Sequence, residues 1–75
     1  MNHSWFKSKD IWEILSCNCN LCKSIHFCSI CGMYRGYHEE EYIYWQSLNE
    51  LKSGYNLDHL CEYMSCSENL MKNIL

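Results

Sequence analysis

The sequence predicts a small, mainly α domain that relies on its cysteines to hold together, and three observations lead there. Seven cysteines sit in 75 residues, five of them between Cys17 and Cys31. Tyr42, Trp45, Leu48, Leu51 and Tyr55 recur at spacings of three and four, the apolar stripe of a helix. The stretch Leu57 to Leu75 shows the same spacing twice, with a break at Ser65-Cys66. A chain this short buries only about 60% of the surface its unfolded form exposes, so a staple beyond the core is expected. These observations give one domain over residues 1–75, with a helix over 4–16, a cysteine loop over 17–37 and a three-helix unit over 39–75.

The N-terminal helix rests on Asp10 and Glu13, which fit a capping box, and on the apolar Ile11, Trp12, Ile14 and Leu15. Trp5 and Phe6 precede it as a lid over the core. Residues 17–37 have no helical period, and Gly32 and Gly36 lie among them, so this segment reads as a loop. The helix over 39–53 has Glu39, Glu40 and Glu41 at the positive end of its dipole, Lys52 at the negative end and Gly54 as its stop. Its aromatic stripe reads as core rather than as a ligand cage.

Within the loop, Cys19-x-x-Cys22 and Cys28-x-x-Cys31 form two pairs separated by five residues. A C-x-x-C turn aims two sulfurs at one cation, and Gly32 suits the knuckle that follows. Zinc takes four such ligands in a tetrahedron, at about 2.3 Å to sulfur, so Cys19, Cys22, Cys28 and Cys31 fill the shell and leave no place for a catalytic water. Binding of this kind supplies about 10–16 kcal/mol toward folding. Cys17 is then spare; it can replace Cys19 or join His26 or His38 in another set. His59, Cys61 and Cys66 can complete a site with Cys28 and Cys31 or hold a second zinc, although Cys61 and Cys66 read first as small core residues. His3, His26, His38 and His59 read individually as surface or capping residues. The cysteines are too irregularly spaced for an iron–sulfur run, and no βαβ context supports a redox dithiol.

In the C-terminal stretch, Leu57, Leu60, Cys61 and Met64 line one face of a first helix. Met71, Ile74 and Leu75 line a second, which Ser67 caps. Gly54 to Leu75 resembles the helix-turn-helix of sigma-factor region 4, resolvases and small repressors. Cys61 stands where the two helices touch, Ser65 at the turn where the family usually has glycine, and Cys66 at the small apolar position. Ser67 matches the cap, and Met71 and Ile74 match the anchors. The resemblance implies a second helix that enters the major groove with Glu68, Asn69, Leu70, Lys72 and Asn73 outward, as a DNA- or partner-binding face.

The net charge of −3 gives no general attraction to nucleic acid. Lys7, Lys9, Lys23, Arg35 and Lys52 can contact phosphate only if the fold gathers them. No stretch approaches the ~20 apolar residues of a membrane span, and the N-terminus lacks a signal sequence's apolar run, so the expectation is an intracellular protein, cytoplasmic or nuclear, with reduced thiols. The absence of proline and the abundance of Asn, Ile, Tyr and Ser suit a phage or viral genome. The sequence reading is a zinc-binding transcription regulator that contacts DNA, with dimerisation raising its affinity. The alternative is a protein-interaction module docking on transcription machinery or a host factor. A closed four-cysteine site argues against an enzyme.

Overall fold

The computed structural model describes residues 2–8, 19–53 and 60–74. A sheet lies at its centre. Strands β1 (Trp5–Lys7), β2 (His26–Cys28), β3 (Tyr34–His38) and β4 (Glu41–Trp45) pair antiparallel in that order. Among the described residues three short helices accompany it: α1 (Asn20–Lys23), α2 (Leu48–Ser53) and α3 (Cys66–Ile74). The expected mainly α architecture is therefore corrected to a four-stranded antiparallel sheet with short helices.

The largest revision falls on residues 39–53. Glu41-Tyr-Ile-Tyr-Trp45 satisfies helical spacing, but aromatic and β-branched residues also suit a pleated, half-buried strand. The strand wins because β3 offers a partner along its whole length, from Tyr34 opposite Trp45 to His38 opposite Glu41. Glu39 and Glu40, expected at a helix N-terminus, instead make the tight turn between β3 and β4, with φ of 50° and 68°. Both residues sit in the left-handed region that a two-residue hairpin demands. Only α2 survives of the predicted helix; Ser47 begins it by accepting the Glu50 N–H at 3.4 Å.

The predicted N-terminal helix is also revised. Trp5–Lys7 is extended and pairs with β2, while residues 9–16, like Cys17, lie outside the described residues. At the C-terminal end, residues 54–59 lie outside them too. Residues 60–64 are not helical: the Cys61 N–H donates to the Tyr44 carbonyl at 2.9 Å, extending the sheet by one bridge. The first helix of the expected helix-turn-helix is thus absent over these residues. The second is present as α3, but its cap is Ser65, not Ser67. The Ser65 hydroxyl accepts the Glu68 N–H at 3.2 Å and donates to the Glu68 carboxylate at 3.1 Å. That is a Ser-x-x-Glu start signal, two residues earlier than the periodicity implied.

Each face of the sheet has its own core. On one face Ile25, Trp45 and Leu51 are fully buried against Leu21, Tyr34, Ile43, Leu48 and Leu60. Gly36 lets α1 approach there, since a Cβ would stand 2.7 Å from the Leu21 side chain. Ser24 ties α1 to β3 by accepting the Tyr37 N–H at 2.9 Å and donating to the Leu21 carbonyl at 2.7 Å. On the other face Cys28, Cys31, Met33 and Cys66 are buried under Trp5, Tyr44, Cys61, Met64 and Leu70. Among the described residues no helix is long and apolar enough to cross a membrane.

Candidate metal centre

Three segments distant in sequence converge on the second face. The β1–β2 pairing sets Trp5 opposite Cys28, which carries the preceding residues over the knuckle. The Ser4 N–H donates to Cys28 Sγ at 3.4 Å, and the Ser29 N–H donates to the Ser4 carbonyl at 3.1 Å. The knuckle itself runs from Cys28 to Gly32. Gly32 has φ of +80°, a conformation that favours glycine, and its N–H donates to the Cys28 carbonyl at 2.9 Å. Cys66, the first residue of α3, completes the convergence from the far end of the chain.

The ligand atoms of His3, Cys28, Cys31 and Cys66 all lie within 4.8 Å of one another, a cluster able to bind a metal ion. Two of its edges are short: Cys28 Sγ to Cys66 Sγ is 3.7 Å, and Cys31 Sγ to His3 Nδ1 is 3.5 Å. Sulfurs at about 2.3 Å from a tetrahedral zinc lie about 3.8 Å apart, and a sulfur and an imidazole nitrogen about 3.6 Å apart. Both edges match a tetrahedral ion. The imidazole is also in the right tautomer. His3 Nε2 lies 2.9 Å from the Met64 carbonyl, which can only accept, so Nε2 carries the proton and Nδ1 presents its lone pair to the cluster.

The thiols are in conflict. Burial works against the Cys28 thiolate, but backbone N–H groups of Cys31, Ser4 and Ile30 lead the groups that outweigh it and bring its pKa down to about 6. Burial, together with hydrogen bonds and charge from Cys28 and Cys31, pushes Cys66 up to about 12. One sulfur is held as an anion beside another that resists becoming one. A cation among them resolves the conflict, because every ligand thiol can then ionise.

The chain matches no known protein family, curated protein or solved structure.

Of the four cysteines expected to share one zinc, Cys28 and Cys31 are in the cluster and Cys19 and Cys22 are not. Cys19 and Cys22 stand at α1 with their sulfurs 3.6 Å apart, the first exposed and the second buried. Cys66, read first as a core residue, supplies the third sulfur. Cys61 is half-buried beside the cluster, and burial raises its thiol pKa. His26 Nδ1 lies 2.8 Å from the Ser24 carbonyl, and His38 lies 3.8 Å from the Glu39 carboxylate, so neither joins the site. Cys17 and His59 lie outside the described residues. His3 was missed. Its only signal is the strand pairing of Trp5 with Cys28, which no local pattern in the sequence announces.

The expected binding face of α3 is also rearranged. Cys66, Asn69, Leu70 and Asn73 fall at i, i+3, i+4 and i+7 and face the rest of the domain. Asn69 is fully buried, and its Nδ2 donates to the carbonyls of Cys31 at 3.2 Å and Gln46 at 3.1 Å. Asn73 repeats the grip on the same carbonyls at 2.8 and 3.2 Å. Leu70 packs on the sulfur cluster. Of the expected reading set, Glu68 and Lys72 face solvent, and Glu68 is engaged by its cap.

Proposed function

We propose that this chain is a zinc-stapled binding domain, in which one structural zinc is held by His3 Nδ1 and the sulfurs of Cys28, Cys31 and Cys66. The observation that carries this reading is the set of one imidazole and three thiols, drawn from three separate segments, whose ligand atoms all lie within 4.8 Å of one another. Soft sulfur with one nitrogen favours zinc among the common ions, and four protein ligands leave no position for a catalytic water. The ion then locks the N-terminal strand, the knuckle and α3 to one another, and the domain's work is to present a surface to a partner. Thiolate ligands persist in a reducing compartment, so the cytoplasm or nucleus suits it.

DNA reading through α3 draws little support from this geometry, because both asparagines expected to meet base edges grip backbone carbonyls instead. Docking on a protein draws more from it, since Tyr63, edge-on to His3, remains 60% exposed and Met71 on α3 65%. The test is metal analysis of the purified chain, followed by cobalt substitution and chelation. The expected result is one zinc per chain, a cobalt spectrum typical of tetrahedral thiolate ligation, and loss of folded structure on chelation. A chain that carries no zinc, or keeps its circular dichroism after chelation, rejects the reading.

A further inference from the structure

The sheet face that bears the metal cluster continues past it. Cross-strand pairing lines up Lys7, His26, Arg35 and Tyr44 in one row across all four strands. The next row toward the hairpin turn places Tyr37 opposite Tyr42. Their alternation along the strands puts all six side chains on the same side as Trp5 and Cys28.

These groups form a ladder that begins at the metal site. His3 stacks on Trp5 with ring centroids 4.6 Å apart. The Arg35 guanidinium lies 4.5 Å from the Trp5 ring and 4.5 Å from the Tyr42 ring. Tyr42 then meets Tyr37 edge-on at 5.3 Å. Aromatic pairs of this kind stabilise any sheet, which accounts for the contacts. It does not account for the exposure: Tyr37 and Tyr42 keep 47% and 54% of their surface open to solvent. Nor does it account for the cation. Among the described residues neither Arg35 nor Lys7 has a carboxylate partner. Of the carboxylates nearest this row, Glu41 alternates to the opposite side of the sheet, and Glu39 and Glu40 lie at the hairpin tip.

We propose that this face binds single-stranded nucleic acid, with bases stacked on Tyr37 and Tyr42 and phosphates held by Lys7 and Arg35. Cations without a carboxylate partner among the described residues, set beside exposed tyrosines, complement a strand that alternates phosphate and base, and such stacking tolerates any base sequence. The proposal rests on the zinc-stapled reading, because the staple fixes His3 and, through it, the Trp5 end of the ladder.

The experiment is fluorescence anisotropy of labelled ten-nucleotide oligo-dT and oligo-U against the zinc-loaded full chain. Zinc content and circular dichroism are measured on the same samples. Two phosphate contacts give a slope of log affinity on log salt of about −1.4. Tyr42→Ala and Tyr37→Ala each weaken binding about tenfold. Lys7→Glu halves the slope to about −0.7, the share of the remaining Arg35 contact, and Lys72→Glu, on α3, leaves binding unchanged. A folded, zinc-loaded chain that ignores both oligonucleotides overturns the proposal and leaves the staple standing. Equal binding to a polyglutamate peptide, or insensitivity to both tyrosine variants, also overturns it. A chain without zinc removes the staple and this proposal with it.

Discussion

The two faces of the sheet solve the same problem with different materials. On one, Trp45, Ile25 and Leu51 exclude water with large hydrocarbon side chains, and each contributes about 1.5–3 kcal/mol through burial alone. On the other, the buried residues are Cys28, Cys31, Cys66 and Met33, and the three cysteines remove little apolar area from water. Their thiols even oppose one another, with Cys28 held as a thiolate and Cys66 resisting ionisation. The hydrocarbon face can hold itself. On the zinc-stapled reading proposed above the sulfur face is closed by an ion, and a chain too small for one large core then divides its stability between burial and coordination.

The strongest way to break that comparison is to remove the ion. Cys66→Ala takes away the ligand that anchors α3, and zinc sites of this kind carry about 10–16 kcal/mol of apparent binding energy, more than a small domain's whole stability. The expected outcome is a chain without a cooperative thermal transition, whether or not zinc is supplied. Leu51→Ala, on the opposite face, opens a cavity costing about 2–5 kcal/mol. It should lower the melting temperature while leaving zinc stoichiometry at one. Calorimetry showing Leu51→Ala to be the more damaging of the two would reverse the assignment of roles.

What the sequence revealed divides along the same line. The knuckle was legible because Cys28, Cys31 and Gly32 lie within five residues, and so were parts of α2 and α3, where Leu51 and the spacing of the C-terminal apolar residues are local signals, although the cap was read at Ser67 and is Ser65. The sheet was not. Strands β1 and β2 are three residues each, too short to show a period, and Glu41–Trp45 fits helical and strand spacing equally until β3 is known to lie beside it. Glu39 and Glu40 are poor candidates for a tight turn, so nothing local marked the hairpin. The metal set was half legible for a related reason: Cys66 meets Cys28 across 38 positions of chain, and His3 meets Cys31 across 28. Such closures are decided by tertiary pairing, not by spacing.

A smaller effect is expected where the two faces are joined. Asn69 grips the knuckle carbonyl of Cys31 and the Gln46 carbonyl just after β4. Asn69→Leu keeps the volume but removes both donors, leaving Asn73 alone on the two carbonyls, at a cost of about 1–3 kcal/mol. Denaturant melts of the zinc-loaded variant measure it. No change in stability would mean that the metal alone positions α3.

Acidity distinguishes the faces without any mutation. The lowered pKa of Cys28 contributes stability that is present above the ordinary thiol value of 9.0 and is lost as pH falls through about 6. Cys66 is raised, so its contribution runs the other way: present below 9.0 and lost as pH climbs toward about 12. At pH 8 zinc therefore meets Cys28 already ionised and must displace the proton of Cys66. Titration calorimetry in buffers of different ionisation enthalpy should detect that release. Zinc affinity should rise with pH, and fall more steeply once the medium drops below about pH 6. Binding that releases no proton at pH 8 would exclude Cys66 as a thiolate ligand.

The smallest expected effect lies at the hairpin tip, which belongs to neither core. Glu39 and Glu40 both adopt left-handed backbone, and two adjacent carboxylates repel there. Glu39→Asn with Glu40→Gly installs the pair that a type I′ turn prefers, and the relief of left-handed strain amounts to about 1–2 kcal/mol. In a domain of this size that corresponds to a rise in melting temperature of several degrees, about 4–8 °C per kcal/mol. The same substitution also tests the division between faces. If the fold exists only with its ion, metal binding and folding are one equilibrium, and each 1.4 kcal/mol gained by the tip tightens apparent zinc affinity about tenfold. A rise in melting temperature with unchanged zinc affinity would show instead that the metal-free chain is already folded, and that the sulfur face holds its shape before the ion arrives.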